Sequence, residues 1–452
     1  MNSSNQTAPV SSNYRWVICA LLFFATTFNY LDRQVISYLK EFFCAPAAQG
    51  GFGWSNTDYA NLTAVFTGVY ACMTVLAGWF IDKIGTKLGL ALSLIAWSIF
   101  GILNAFVGRL VMMHIFIRSA FAVGEAGNFP ASIKTVAEWF PKRERALATA
   151  IFNSGSNFGA MVAALFVPWC MVYFGDQKGW KMAFILTGAS GFIWLFFWFW
   201  LYETPAKQKR VSQAELNYIR IDDEPASETN GDKGKVSWGR LFGYRQTWSF
   251  FFGKFLTDGV WWFYLFWLPD YLIKQFHMAK TQVIMPTFIV YGVAIIGSIY
   301  GGSIPMTLIK KGMPVYKARM TAMFIIAVFP LAVLTTQYFG NVEHFGRMAS
   351  VLAVAVICIG AAAHQAWSAN LFTTVSDMFP KKTVASVTGI GTMAGGIGGV
   401  IIQMLAGRLT DVFKQTPQTA YLIMFIICAL SYLIAWGVMK ALVPRHKPIT
   451  DL

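Results

Sequence analysis

Twelve apolar stretches, each long enough to cross roughly 30 Å of hydrocarbon, divide this chain and leave it few alternatives. They lie near 16–38, 59–81, 88–107, 110–134, 146–174 and 182–202, then near 248–273, 281–309, 319–338, 348–378, 384–410 and 420–442. In lipid every backbone polar group must be satisfied within the protein, so spanning segments are helices or closed barrels. These stretches are continuously apolar rather than alternating ten-residue strands, which excludes a barrel. The expected fold is an all-α membrane protein with twelve transmembrane helices in two six-helix bundles. Composition agrees: with 56% hydrophobic and 13% charged residues, the chain is too apolar for a water-soluble domain of 452 residues.

Between the sixth and seventh stretches the composition changes abruptly to ETPAKQKRVSQAELNYIRIDDEPASETNGDKGKVSWGR. This polar run divides the chain into a first bundle (1–202), a cytoplasmic linker (203–247) and a second bundle with a short tail (248–452). A short amphipathic helix is expected near Gln213 to Ile219, as a surface tether.

The net charge of +15 comes from the loops, which excludes nucleic acid as its cause. With both termini inside, 23 of the 36 Lys and Arg fall in cytoplasmic segments and 8 in outer loops, while Arg33, Arg118, Lys134, Lys254 and Arg408 lie in or at the ends of helices. The positive-inside rule then places both termini in the cytoplasm of a cell with the protein in its inner membrane. The start MNSSNQTAPVSSN has no basic n-region and no cleavage site, so the first helix is expected to remain uncleaved. The six cysteines are scattered, mostly in apolar runs, with no metal-ligand spacing, and they read as small core residues. No nucleophile with a base and no metal cluster is visible, so neither an enzyme nor a cofactor is expected.

Within the fourth stretch, HIFIRSAFAVGEAGNFPAS places Arg118 and Glu125 seven positions apart. Seven residues are almost two turns, so both charges share a face, about 10 Å apart along the axis. A charge at the bilayer centre costs roughly 2.5–3.5 kcal/mol on insertion scales, so that face turns toward a polar cavity or a partner. It marks either a substrate or proton pathway, or an ion pair that only orients two helices.

The halves repeat each other. Glu138-Trp139-Phe140-Pro141-Lys142 returns as Asp377-Met378-Phe379-Pro380-Lys381 at an offset of 239 residues, followed by Ala146 or Ala385 and a small-residue helix, FNSGSNFGAM (with Asn157) or GTMAGGIGGV. A parallel duplication of a six-helix unit is the pattern of a two-domain transporter. The same offset sets His364, in AAAHQAWSAN, opposite Glu125.

At these residues the chain resembles a known family. Gly78-Trp-Phe-Ile-Asp82-Lys83-Ile-Gly85-Thr-Lys87 looks like the loop signature of the major facilitator superfamily, with a worn copy around Lys310 to Arg319. NYLDR (Asn29 to Arg33), RSAFAVGEAGNFPAS, EWFPKRERALATAIFNSGSNFGA and GAAAHQAWSANLFTTVSDMFP resemble its anion:cation symporters, in particular the bacterial hexuronate transporters. The resemblance implies uptake of an organic anion with protons by alternating access, Asp32 and Glu125 in proton coupling, and Arg33 on the substrate carboxylate. It places Arg118 beside the membrane glutamate and Tyr70 in the cavity wall. Carriers of dicarboxylate-like substrates in this family use a basic residue in the seventh helix, whereas GKFLTDGVWWFY offers both Lys254 and Asp258. That departure fits a sugar acid with one carboxylate.

The residues alone leave some roles open. Asp32 and Arg33 are about 100° apart on a helix, so one narrow site cannot hold both without other partners; if the first helix ended near Tyr30, they would be an interfacial anchor. His364 is either a packing residue or, with Gln365, Ser368 and Asn370, a ligand for substrate hydroxyls. Trp261, Trp262 and Tyr264 either stack on a sugar ring or face lipid. The glycines of GTMAGGIGGV serve close helix packing rather than phosphate binding. The expected partners are a small organic anion, protons and the lipid bilayer, and the expected assembly is a monomer. A sugar-acid sensor would need an added signalling domain, which neither the linker nor the tail PRHKPITDL supplies.

Overall fold

A computed structural model of the protein describes residues 12–221, 238–279, 281–379, 381–445 and 449, and among them there is no strand. The first bundle holds α1 (Tyr14–Tyr38), α2 (Asn56–Ile84), α3 (Thr86–Leu103), α4 (Val111–Glu125), α5 (Asn128–Trp139), α6 (Lys142–Phe174) and α7 (Asp176–Leu201). A seven-residue α8 (Gln213–Ile219) follows. The second bundle holds α9 (Arg245–Phe276), α10 (Ile284–Lys310), α11 (Val315–Val328), α12 (Met348–Met378), α13 (Lys381–Val412) and α14 (Pro417–Leu442). The twelve spans form two six-helix bundles.

Ten helical stretches among the described residues are long and apolar enough to cross a membrane. The other two passes are α4–α5 and α9, whose hydropathy is diluted by Arg118 and Glu125 and by Lys254, Asp258, Asp270 and Lys274. The fourth pass is not continuous, as the sequence suggests, but breaks at Ala126–Gly127. Gly124 presses on the Trp97 backbone and Gly127 on the Ser93 side chain, so this stretch hugs α3 where a Cβ would not fit. Pro130 then sits in the first turn of α5, where its missing N–H needs no partner. The ninth pass also changes character, passing from α11 into a 3-10 turn (Phe329–Thr335) at Pro330.

The repeat is visible in the packing. α2 of the first bundle lies along α13 of the second, and α6 of the first lies against α10 of the second, which is the same pair of helix positions exchanged between the halves. The run 391–400 serves this contact: Gly396 meets Ala71 of α2, Gly399 meets Thr67 of α2 and Trp262 of α9, and Gly398 meets the Phe255 carbonyl of α9. Small residues here let three backbones approach at once.

At the end of the bundle that bears the termini, α8 is more than a surface tether. Glu215 is fully buried and accepts from the backbone N–H of Tyr14 (3.0 Å) and of Arg15 (3.1 Å), from the Ser12 hydroxyl and from the Arg15 guanidinium (3.0 Å). Arg15 also reaches Glu144 at 2.9 Å, and the Tyr218 hydroxyl donates to Glu144 at 2.6 Å. A carboxylate thus caps the free N–H groups of α1 and ties α8 to the starts of α1 and α6. Residues 1–11, 222–237, Pro380 and most of the tail, and the side chains of Asp82, Lys142, Ala146, Asp377, Lys381 and Ala385, lie outside the described residues.

Candidate functional site

Helix α1 does not end near Tyr30, so Asp32 and Arg33 lie inside the bundle rather than at its rim. Their 100° separation sends them to different sides. Arg33 faces the second half: its guanidinium lies over the rings of Tyr30 (4.4 Å), Tyr70 (4.5 Å), Phe66 (5.5 Å) and, from the second bundle, Trp262 (5.4 Å). Within this aromatic box Arg33 Nε donates to Glu125 Oε2 at 3.1 Å and Nη2 to Asn29 Oδ1 at 3.4 Å. Both members of the pair are buried, Arg33 at 1% and Glu125 at 0% exposure.

Asp32 faces into the first bundle, toward Thr187 of α7 and Trp97 of α3, with neither carboxylate oxygen in hydrogen-bond geometry. Arg118 stands within electrostatic range of both acids. It donates through Nη2 to the Arg33 carbonyl at 3.3 Å and rests on Phe66 and Phe121, while its Nε and Nη1 have no hydrogen-bond partner. Glu125 Oε1 and the amide oxygens of Asn128 and Asn157 are likewise buried and unpartnered. Two arginines and two carboxylates therefore share one buried cluster in which several polar atoms have no hydrogen-bond partner.

The second bundle faces this cluster with α9. Lys254 and Asp258, one turn apart, pair at 2.6 Å, and Gly395 of α13 leaves room for the Asp258 carboxylate. One turn further, Trp261 lies flat against His364, with ring centres 5.0 Å apart and planes within 6°. His364 is held through Nδ1 by the Tyr432 hydroxyl at 2.8 Å, so this nitrogen is already engaged within its own bundle. Gln365 is half-buried beside it. Tyr264 is fully buried and packs on Phe263 and beside Gly360.

On the side away from the termini the halves are sealed in successive layers. Beyond the Trp262–Tyr70–Phe66 contacts, Gln403 of α13 accepts from the Trp267 indole (2.6 Å) and the Thr63 hydroxyl (3.2 Å) and donates to the Trp262 carbonyl (3.1 Å). Further out, Asp270 receives Lys40 at 2.7 Å, Lys274 at 3.2 Å and the Tyr421 hydroxyl, and both lysines also donate to Asn56. Asp411 closes the rim by accepting from the backbone and side chains of Asn56 and Thr57 at 2.5–3.0 Å, as an acidic cap on α2 supplied by the other bundle. Sequence reasoning missed Lys40, Asp270, Lys274, Gln403 and Asp411. The Asp270–Lys274 spacing at the end of an apolar run was the available signal, but its partner Lys40 lies in the other half.

A family model described as the Major Facilitator Superfamily matches residues 22–402. The hexuronate transporter of Escherichia coli (strain K12) is 30% identical over 439 residues, covering 97% of this chain and 96% of that protein. The D-galactonate transporter of Escherichia coli O6:H1 is 24% identical over 436 residues, covering 94% and 96%. Among solved structures, a D-xylose-proton symporter superposes with a TM-score of 0.70 at 16% identity, covering 97% of this chain and all of that one.

Proposed function

Since the chain belongs to the Major Facilitator Superfamily, whose members are transport proteins rather than enzymes, we propose that it is a secondary transporter importing a sugar acid with protons across a cell's inner membrane, both termini in the cytoplasm. The observation that carries this reading is the Arg33–Glu125 pair inside an aromatic box contributed by both halves. A guanidinium binds a carboxylate through two parallel hydrogen bonds, so an incoming organic carboxylate competes with Glu125 for Arg33. Glu125, once displaced, is a buried charge without its cation. Such a charge is costly, and it is relieved by a proton or by turning to Arg118, whose Nε and Nη1 are unpartnered. Asp32 behind Arg118 supplies a second proton-carrying carboxylate.

The roles follow. Arg33 binds the substrate carboxylate, Tyr70 and Trp262 wall the site, Asn157, Lys254, Asp258, Trp261 and Gln365 belong to the polar and aromatic surface met by the rest of the substrate, and His364 backs Trp261. In this reading the bundles 1–202 and 248–452, joined by the linker 203–247, give alternating access to the site, and the layers from Trp262 to Asp411 close it on the side away from the termini. The relatives named above support hexuronates first. The D-galactonate relative favours an aldonate as the second reading.

The test is uptake of labelled glucuronate, galacturonate and galactonate into proteoliposomes of the purified full chain, with and without an imposed pH gradient. Accumulation of one of these acids that collapses with the gradient is expected. Uptake of none of them, or accumulation indifferent to protons, overturns the reading.

A further inference from the structure

We propose that Trp261 is a platform for the pyranose ring of the substrate, backed by His364, and that it makes the site selective for ring-form sugar acids over open-chain ones. This inference rests on the sugar-acid reading above and narrows its substrate class.

The argument begins with where Trp261 is exposed. Residues 262–272 of α9 are buried without interruption, so protein surrounds the helix on every side there. Trp261 and Asp258, one turn apart, share a face of α9 that meets His364 of α12, Tyr291 of α10 and Gly395 of α13, so the partial exposure of Trp261 and the 18% side-chain exposure of Asp258 open among these helices and not toward lipid. The indole is also held rigidly. One of its faces is covered by the parallel His364 ring at 5.0 Å, the Tyr291 ring stands nearly perpendicular to it at 6.1 Å and 74°, and His364 is itself fixed by buried Tyr432. What remains is the part-exposed surface of a flat indole, pre-oriented before any ligand arrives, with a carboxylate and an ammonium one to two turns away along α9.

A flat, electron-rich face is suited to the C–H side of a six-membered sugar ring, whose hydrogens carry partial positive charge and lie nearly in one plane. An open-chain aldonate offers the same carboxylate and hydroxyls but no such plane. With Arg33 holding the carboxylate common to both, discrimination between them must come from the other end of the site. His364 in this arrangement is a positioning residue: its ring and its Nδ1 bond act on Trp261 rather than on the substrate.

The experiment uses the full chain in proteoliposomes and compares D-glucuronate, which is predominantly cyclic, with D-gluconate, which is open-chain. For the unaltered protein, glucuronate is expected to be taken up with the lower KM. Trp261→Ala should raise the glucuronate KM at least tenfold and leave the gluconate KM within about twofold, which erases the preference. Trp261→Phe should keep most of it, because a flat face is retained, and His364→Ala should erode it partway. Methyl glucopyranosiduronate, locked as a ring, should compete with glucuronate for the unaltered protein and the Phe variant but not for the Ala variant. Equal losses for both acids in Trp261→Ala, or an unchanged ratio of their KM values, overturn the platform. Uptake of neither acid by the unaltered protein instead overturns the function on which the inference rests.

Discussion

Arg33 and Glu125, 92 residues apart in the chain, meet at 3.1 Å with both side chains out of contact with solvent, and no other carboxylate approaches the Arg33 guanidinium among the described residues. The pair is an internal competitor for any carboxylate that Arg33 is to bind. Glu125→Gln removes that competitor's charge while keeping its shape. The substituted protein should bind sugar acid roughly tenfold more tightly, since one charge-assisted hydrogen bond no longer has to be displaced. It should also fail to concentrate substrate under a pH gradient while counterflow exchange persists. Binding by isothermal calorimetry and uptake in proteoliposomes measure the two effects; proton-driven accumulation by this variant would remove Glu125 from coupling.

Arg33→Lys separates charge from geometry. The ammonium keeps the cation but loses the planar fork, and it no longer stacks as a guanidinium does between Tyr30 and Tyr70. Most transport should be lost, with apparent affinity falling about ten- to a hundredfold. Near-normal uptake would move the substrate carboxylate to Arg118 or Lys254.

Asp270 is the hub of the seal on the side away from the termini. Asp270→Asn leaves buried Lys40 and part-exposed Lys274 without their shared counter-charge, and breaking a buried pair such as Lys40–Asp270 costs roughly 3–5 kcal/mol. That cost falls on the sealed state alone, so the equilibrium should move toward opening on that side by about a hundredfold or more. A cysteine placed at Thr67, fully buried where α2 meets α13, reports the change: an impermeant maleimide added on the sealed side should label it faster in the Asn variant. Replacing Lys40, Asp270 and Lys274 together by methionine should restore slow labelling, because an apolar triad has no charge to leave unpaired. Equal labelling rates in all three proteins would mean the cluster does not hold the seal.

The sequence made the spans legible because lipid demands long apolar helices, and the boundaries of α10, α12 and α14 lie within a few residues of those expected. It also marked Arg118 and Glu125, since charges in such runs stand out. What it could not supply is azimuth. Whether Asp32 or Arg33 faced the second half depended on how α1 rotates against α6, α7 and α9, which cannot be read from α1 alone when both residues are buried by other helices. Pairings between halves were equally hidden: Lys40 with Asp270, or Asp411 with Thr57, look like ordinary span-end residues until the bundles are brought together. The break in the fourth span was obscured because Gly124 and Gly127 read as small residues of a continuous helix.

Glu215 gives a pH prediction outside the membrane spans. Burial pushes its carboxyl up, but the Ser12 hydroxyl, the backbone N–H groups of Arg15 and Tyr14 and the Arg15 guanidinium together hold it below its ordinary value of 4.5. A carboxyl whose value is lowered on folding contributes stability above the unfolded-state value, and that contribution disappears as pH falls through the lower, folded value. The attachment of α8 to α1 should therefore be indifferent to pH well above 4.5 and should loosen only as pH falls below that value. Hydrogen exchange of the amides in 213–219 measures it. Glu215→Ala should raise their exchange across the whole range, because the capped N–H groups of α1 lose their acceptor at every pH. Glu215→Gln, which can still accept but cannot titrate, should fall between the two and show no acid transition of its own. An acid transition that survives in Glu215→Gln would assign the titration to Glu144, the other carboxylate on Arg15.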